Sequence, residues 1–104
     1  MAKPFDHQNI DALLHSRIRL SIIAVLVSVD EMDFSTLLKE VNTTKGNLSI
    51  HLKKLEDGKY VSIKKNFVDK KPLTTCYITK KGTQAFKDYL TMVEQFANLN
   101  NNNL

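Results

Sequence analysis

Residues 44–58 read TKGNLSIHLKKLEDG, and Leu48, Leu52 and Leu55 recur there at the spacing that lines up one stripe of an α-helix. That stripe has to be covered by the rest of the chain. The opposite side carries Gly46, Asn47, Ser49, Ile50, Lys53 and Lys54, which are small, polar or cationic with one apolar exception. Thr44 is placed to cap the start, and Gly58 stands where a C-terminal glycine ends a helix. A helix of this length with a slim polar face and lysines toward its far end suits a nucleic-acid groove. Taken alone, the stretch fits an ordinary surface helix equally well.

The chain has 104 residues, enough for one core and one domain. No apolar run approaches membrane-spanning length, and residues 1–5 lack the apolar core of a signal peptide. A single Cys excludes an intrachain disulfide and fits a reducing compartment. The expected location is therefore cytoplasmic.

Charge separates the chain into three blocks. Residues 1–44 hold four Lys/Arg against six acids, and residues 82–104 one Lys against two acids. Residues 45–81 hold ten lysines against three acids, a local net of +7. A concentrated cationic block is the footprint of a phosphate-binding surface, provided that it folds onto one side.

In chain order, Pro4 discourages an early helix, and Ile10, Leu13 and Leu14 form an apolar patch that reads as a short helix ending near His15. Ser16 can cap a helix whose buried face is Ile18, Ile22, Val25, Leu26 and Val29. Residues 30–33 read as an acidic turn. Ser35 or Asp33 can cap a short helix pointing Leu37, Leu38 and Val41 inward, and Asn42 and Thr43 turn the chain into the helix at Thr44. Two short helices in this arrangement form the helix-turn-helix pattern. Beyond Gly58 the period changes. Two β-leaning runs, 61–67 and 73–78, flank an Asp-Lys-Lys-Pro connection and read as a hairpin, with Pro72 at an edge or strand start. Thr79 can cap a last helix carrying Phe86, Tyr89, Leu90, Val93, Phe96 and Ala97. The expected organisation is one domain over 1–99 and a disordered Asn-rich tail over 100–104.

This order of elements resembles a winged helix-turn-helix domain. The segments HSRIRLSIIAVL, DFSTLLKEV, TKGNLSIHLKKLEDGKYV, KKPLTTCYIT and TKKGTQAF together resemble the small single-domain regulators related to the MarR and ArsR families. The resemblance implies a mainly α fold, about five helices with a two- or three-stranded wing. It also implies a homodimeric transcriptional regulator of double-stranded DNA, with the helix at Thr44 in the major groove and the wing on the backbone or minor groove.

Base edges carry sequence information and phosphates only position a protein. Asn47 can bond adenine in a bidentate way, Ser49 can serve several bases, and Ile50 can meet a thymine methyl. Thr44, Lys45 and Gly46 begin the helix where free N–H groups favour a phosphate, although Gly46 serves a tight turn equally well. Lys53 and Lys54 are further contacts, or complements to the helix dipole. At the hairpin Lys64, Lys65, Lys70 and Lys71 are phosphate contacts, with Lys70 and Lys71 the stronger pair because Lys64 and Lys65 point to opposite faces of a strand. His51 reads as a packing residue.

Enzyme chemistry finds no support: no nucleophile elbow, no Gly-rich phosphate loop, no paired carboxylates. His7, His15 and His51 lack metal-ligand spacing, and the Cys-rich metal motifs of some ArsR relatives are missing, so no cofactor or metal is expected. Cys76 alternates with Ile78 on the buried side of a strand and reads as core. The last helix has more apolar surface than one small core needs, so Ile10, Leu13 and Leu14 are expected to bury Phe86, Tyr89, Leu90, Val93, Phe96 and Ala97 across a two-fold axis, the alternative being that they pack within one subunit. The alternative function is a winged-helix protein–protein module that binds DNA weakly and without sequence preference. A small-molecule effector is left open.

Overall fold

The computed structural model describes residues 6–102. A 3-10 turn at His7–Asn9 precedes α1 (Arg17–Val29), β1 (Glu31–Asp33), α2 (Phe34–Val41), α3 (Lys45–Asp57), β2 (Val61–Val68), β3 (Lys71–Ile78) and α4 (Lys80–Asn102). Each α-helix starts after a side chain that accepts one of its orphan N–H groups. Ser16 Oγ accepts from Arg19 N at 3.4 Å, Asp33 from Thr36 N at 3.0 Å, Thr44 Oγ1 from Asn47 N at 3.2 Å and Thr79 Oγ1 from Gly82 N at 3.0 Å. Asp33, rather than Ser35, caps α2.

The first expected helix does not form, so there are four α-helices rather than about five. Five residues separate Ile10 from Ser16, too few to repay helix nucleation. Instead Asp11 ties a turn, its carboxylate accepting from Leu13 N at 2.8 Å and Leu14 N at 3.2 Å and also from the Tyr60 hydroxyl. Arg19 clamps the same turn, donating to Leu13 O at 2.7 Å.

The acidic turn over 30–33 is also corrected. Glu31–Asp33 is a strand that pairs antiparallel with β3, Met32 facing Cys76. Strand order is β1-β3-β2. The hairpin strands run closer to their tip than expected, to Val68 and from Lys71, leaving Asp69 and Lys70 as the whole connection. Pro72 lies beyond the three-stranded part, opposite Phe67.

Gly58 is not the left-handed residue that ends α3. Its φ is −80°, and Lys59 takes the positive value of 68°. Gly58 instead leaves room, because an added Cβ would lie 2.3 Å from Leu13 Cδ1. The Asn-rich segment continues α4 as far as Asn102, where a disordered tail was expected; residues 1–5 and 103–104, the ends of the expected lead-in and tail, lie outside the described residues.

Leu14, Ile22, Ile23, Leu26, Leu37, Leu48, Leu52, Leu55, Val61 and Cys76 form the buried core. Each large aliphatic among them contributes about 1.5–3 kcal/mol on removal from water. Three of them are the leucine stripe of α3, so the helix is seated by the face that its periodicity selected. Burial pushes the Cys76 thiol up to about 11, which leaves almost no thiolate at neutral pH.

The start of α4 is pressed against the chain entering β2. Thr79 donates from N to Tyr60 O at 3.1 Å and from Oγ1 to Lys59 O at 2.7 Å. A Cβ on Gly82 would lie 2.3 Å from that same Tyr60 oxygen. Backbone cannot swing aside as a side chain can. Gly82→Ala should therefore lower stability by about 1–2 kcal/mol, overpacking outweighing the helix propensity gained. Urea unfolding with an unchanged slope and a lower midpoint is the expected result; a raised midpoint would contradict this packing.

Candidate nucleic-acid interface

With its leucine stripe sunk, α3 presents Thr44, Lys45, Gly46, Asn47, Ser49, Ile50, Lys53 and Lys54 to solvent. Ile50 is 55% exposed, although it is a residue type that cores normally claim. Nothing lies within 4 Å of a Cβ built on Gly46, so the fold does not require glycine there. Lys53 lies 3.0 Å from Asp57 and 3.8 Å from Glu56, so its charge is partly answered within the helix. His51 sits half-buried at the helix edge, where its Nδ1 lies 3.0 Å from Arg19 Nη1. Arginine can only donate, so Nδ1 accepts and the ring is neutral. Burial, then the charges of Arg19 and Lys54, lower its pKa accordingly.

The hairpin divides its lysines by register. Ile63 opposes the buried Cys76 and Lys65 opposes Thr74, so Lys65 belongs to the core-side face. Lys65 and Thr74 line a cleft of about 540 Å³ whose other wall includes Ser49 and Lys53 of α3. Lys64 projects from the outer face, its ammonium 5.2 Å from the centre of the Tyr77 ring. Of the two, Lys65 is therefore the one on the α3 side. Lys70 and Lys71 stand at the exposed tip.

The tip has an unusual composition. Asp69 and Lys70 have φ of 51° and 66°. Positive φ at both positions is the type I′ hairpin turn, which Asn-Gly or Asp-Gly supplies most easily. Here a lysine stands where glycine would carry no strain, at a cost of about 1 kcal/mol. The exposed tip of the wing thus carries a cation despite that cost.

The proposed dimer residues separate. Leu14 is fully buried in its own core, so its side chain cannot face a second chain; the turn that Asp11 ties turns it inward. Leu13, Phe86 and Tyr89 pack against that core as well, and Ile10 and Tyr89 line one cavity between the N-terminal segment and α4. Leu90 and Val93 are 49% and 45% exposed, with Ala97 exposed and Phe96 half-buried beyond them. One apolar stripe thus starts on the core and continues outward along α4. A helix of 23 residues is about 34 Å long. The chain's extents of 59 × 25 × 22 Å reflect that projection.

Among the described residues, no three His, Cys, Asp or Glu side chains gather as a metal set, and no helix is long and apolar enough to cross a membrane. Two residues of consequence escaped sequence reasoning. Arg19 joins α3 to the N-terminal turn, a long-range contact with no local signature. Phe67 lies 78% exposed on the wing, where strand alternation alone cannot say which face is covered.

The winged helix DNA-binding domain family matches residues 18–97. An uncharacterized protein of Methanocaldococcus jannaschii is 36% identical over 85 residues, covering 82% of this chain and 92% of that protein. The structure of a transcriptional regulator homologue from Pyrococcus horikoshii superposes with a TM-score of 0.78 at 29% identity, covering 83% of this chain and 85% of the other. At the level of fold, a MarR family regulator from Silicibacter pomeroyi gives 0.66 at 19% identity, over 86% of this chain and 59% of its own. An ArsR family regulator gives 0.56 at 21%, over 94% and 97%.

Lys70→Gly should move two observables in opposite directions. Relief of positive φ should raise stability by about 1 kcal/mol, while loss of the cation should weaken duplex binding and flatten the slope of log K against log salt by about 0.9 per subunit. Unfolding and salt titrations of one sample check both. Unchanged binding with raised stability would remove Lys70 from the interface.

Proposed function

The chain belongs to the winged helix DNA-binding domain family, and from that premise we propose that it is a sequence-specific transcriptional regulator acting as a homodimer on double-stranded DNA. The carrying observation is the shared cleft: Lys65 of the wing and Ser49 and Lys53 of α3 line one concavity, so the cationic ribbon and the exposed side of α3 address the same partner. In this reading α3 enters the major groove. Asn47 bonds adenine through its amide, Ser49 takes a neighbouring base edge, and Ile50 covers a thymine methyl. The exposure of Ile50 supports this, since a base methyl supplies the apolar cover that the chain withholds.

Thr44, Lys45 and Gly46 bring the start of the helix to a phosphate. Lys54, Lys65, Lys70 and Lys71 add cations that need no fine geometry. Lys53 contributes less, because Asp57 already holds it. Lys64, on the outer face, reaches only a strand that passes on the far side of the wing.

Dimerisation would use the outer stripe of α4, namely Leu90, Val93, Phe96 and Ala97. Two copies joined there can set their α3 helices about one helical turn apart, ~34 Å, on successive major grooves. Isologous pairing of this kind predicts an inverted repeat in the DNA.

Selection of bound duplexes from a random pool, with the full chain and with Asn47→Ala, tests this reading. The expected consensus is an inverted repeat with half-site centres one turn apart. Asn47→Ala should relax one adenine per half-site, with a loss of about 1–3 kcal/mol there. Enrichment of no sequence at all, at a salt concentration where duplex is bound, would leave only a backbone-binding or protein-binding module.

A further inference from the structure

Phe67 has the highest exposure of any large apolar side chain among the described residues, at 78%, and Val68 beside it is 51% exposed. Neither belongs to the core. Their setting is strongly cationic: residues 64–71 read KKNFVDKK, four lysines against one acid, a net of +3. An apolar protein partner that covered Phe67 would have to desolvate or neutralise that collar. A duplex suits it, because two phosphate rails can meet the lysines while a groove lies between them.

Register gives the direction in which Phe67 points. Residues 63, 65 and 67 of a strand share one face, and Phe67 stands opposite Pro72 as Lys65 stands opposite Thr74. Lys65 and Thr74 line the cleft shared with α3. The ring of Phe67 therefore projects on the α3 side, two residues or about 7 Å nearer the tip. The ribbon closes there in two residues, so its tip is its narrowest part, and only side chains carried by the tip have to fit a minor groove about 6 Å wide. Asp69 lies at that tip too, in the turn, and is the one acid of the 64–71 stretch.

We infer that Phe67 enters the minor groove next to the major groove occupied by α3 and wedges between adjacent base pairs, so that the protein kinks its DNA and favours steps that unstack easily. Pyrimidine–purine steps such as TpA are the soft ones, so the wedge adds sequence preference without a hydrogen bond to any base. The inference rests on the assignment of α3 to the major groove, and its test separates the two.

The test uses the full chain and end-labelled duplexes of about 40 bp, long enough for two half-sites. One set carries TpA steps where the wings would fall and the other carries A-tracts. Energy transfer reports the end-to-end distance, and titrations at several salt concentrations report affinity. The wild type should shorten the TpA duplex and bind it several-fold more tightly. Phe67→Ala, at a position that the core does not use, should abolish both the shortening and the TpA preference. It should weaken binding roughly tenfold and leave the salt slope unchanged. Phe67→Leu should keep most of the kink, and Lys70→Ala should flatten the slope while the saturated complex stays bent.

Equal bending by the wild type and Phe67→Ala overturns the wedge. So does a Phe67→Ala protein that keeps its DNA behaviour but loses binding to phosphatidylserine vesicles, which would assign the apolar tip to a lipid surface. Either result leaves duplex reading by α3 intact. A wild type that binds no duplex at low salt overturns that reading as well.

Discussion

Everything on the proposed DNA side depends on how α3 is seated. Leu48, Leu52 and Leu55 are almost completely buried in the shared core, where α3 meets α1 and β2. With that face committed, the opposite face has no freedom left: Asn47, Ser49 and Ile50 must point outward. The helix is positioned by its apolar stripe and is then available through its polar one. A change that loosened the stripe would move every candidate base contact together, so core substitutions at Leu52 or Leu55 would disturb recognition without touching DNA.

The wing is governed by a different balance. It is a two-stranded extension beyond the three-stranded part of the sheet, held by backbone hydrogen bonds and few buried side chains. Its tip turns through two residues of positive φ without glycine, and it carries an exposed aromatic ring among lysines. Each of these features is a local cost to the free protein. Strain, exposed apolar surface and like charges at one point are what a surface shaped for a partner looks like when the partner is absent. The Tyr60 hydroxyl, which donates to Asp11, anchors the other end of the ribbon. Burial and then that hydrogen bond push its pKa up to about 12, so the anchor stays protonated at neutral pH.

Much of this was legible in the chain because helical periodicity reports burial, although at the end of α1 it places Val29 on the buried face and that side chain is exposed. The start of α1 at Ser16, the seating of α3, and the start of α4 at Thr79 all followed from cap residues and apolar spacing. β1 escaped because three residues carry no period, and only the pairing of Met32 with Cys76 makes them a strand. The N-terminal patch was misread because Ile10, Leu13 and Leu14 have helical spacing, whereas their conformation is set by Asp11 and by the distant Arg19 and Tyr60. For the site, side-chain alternation showed that Lys64 and Lys65 part company. Which of them faces α3 depends on the register of Ile63 against Cys76, a property of two strands and not of either one. Phe67 was hidden for the same reason.

In the proposed complex α3 and the wing form one continuous DNA-binding face, and the outer stripe of α4 does not touch the duplex. Amide chemical-shift mapping of the labelled full chain against a selected duplex tests it most directly. Perturbations should be confined to residues 44–54 and 64–71 and should fade as salt is raised. Shifts concentrated along α4 with α3 silent would contradict it.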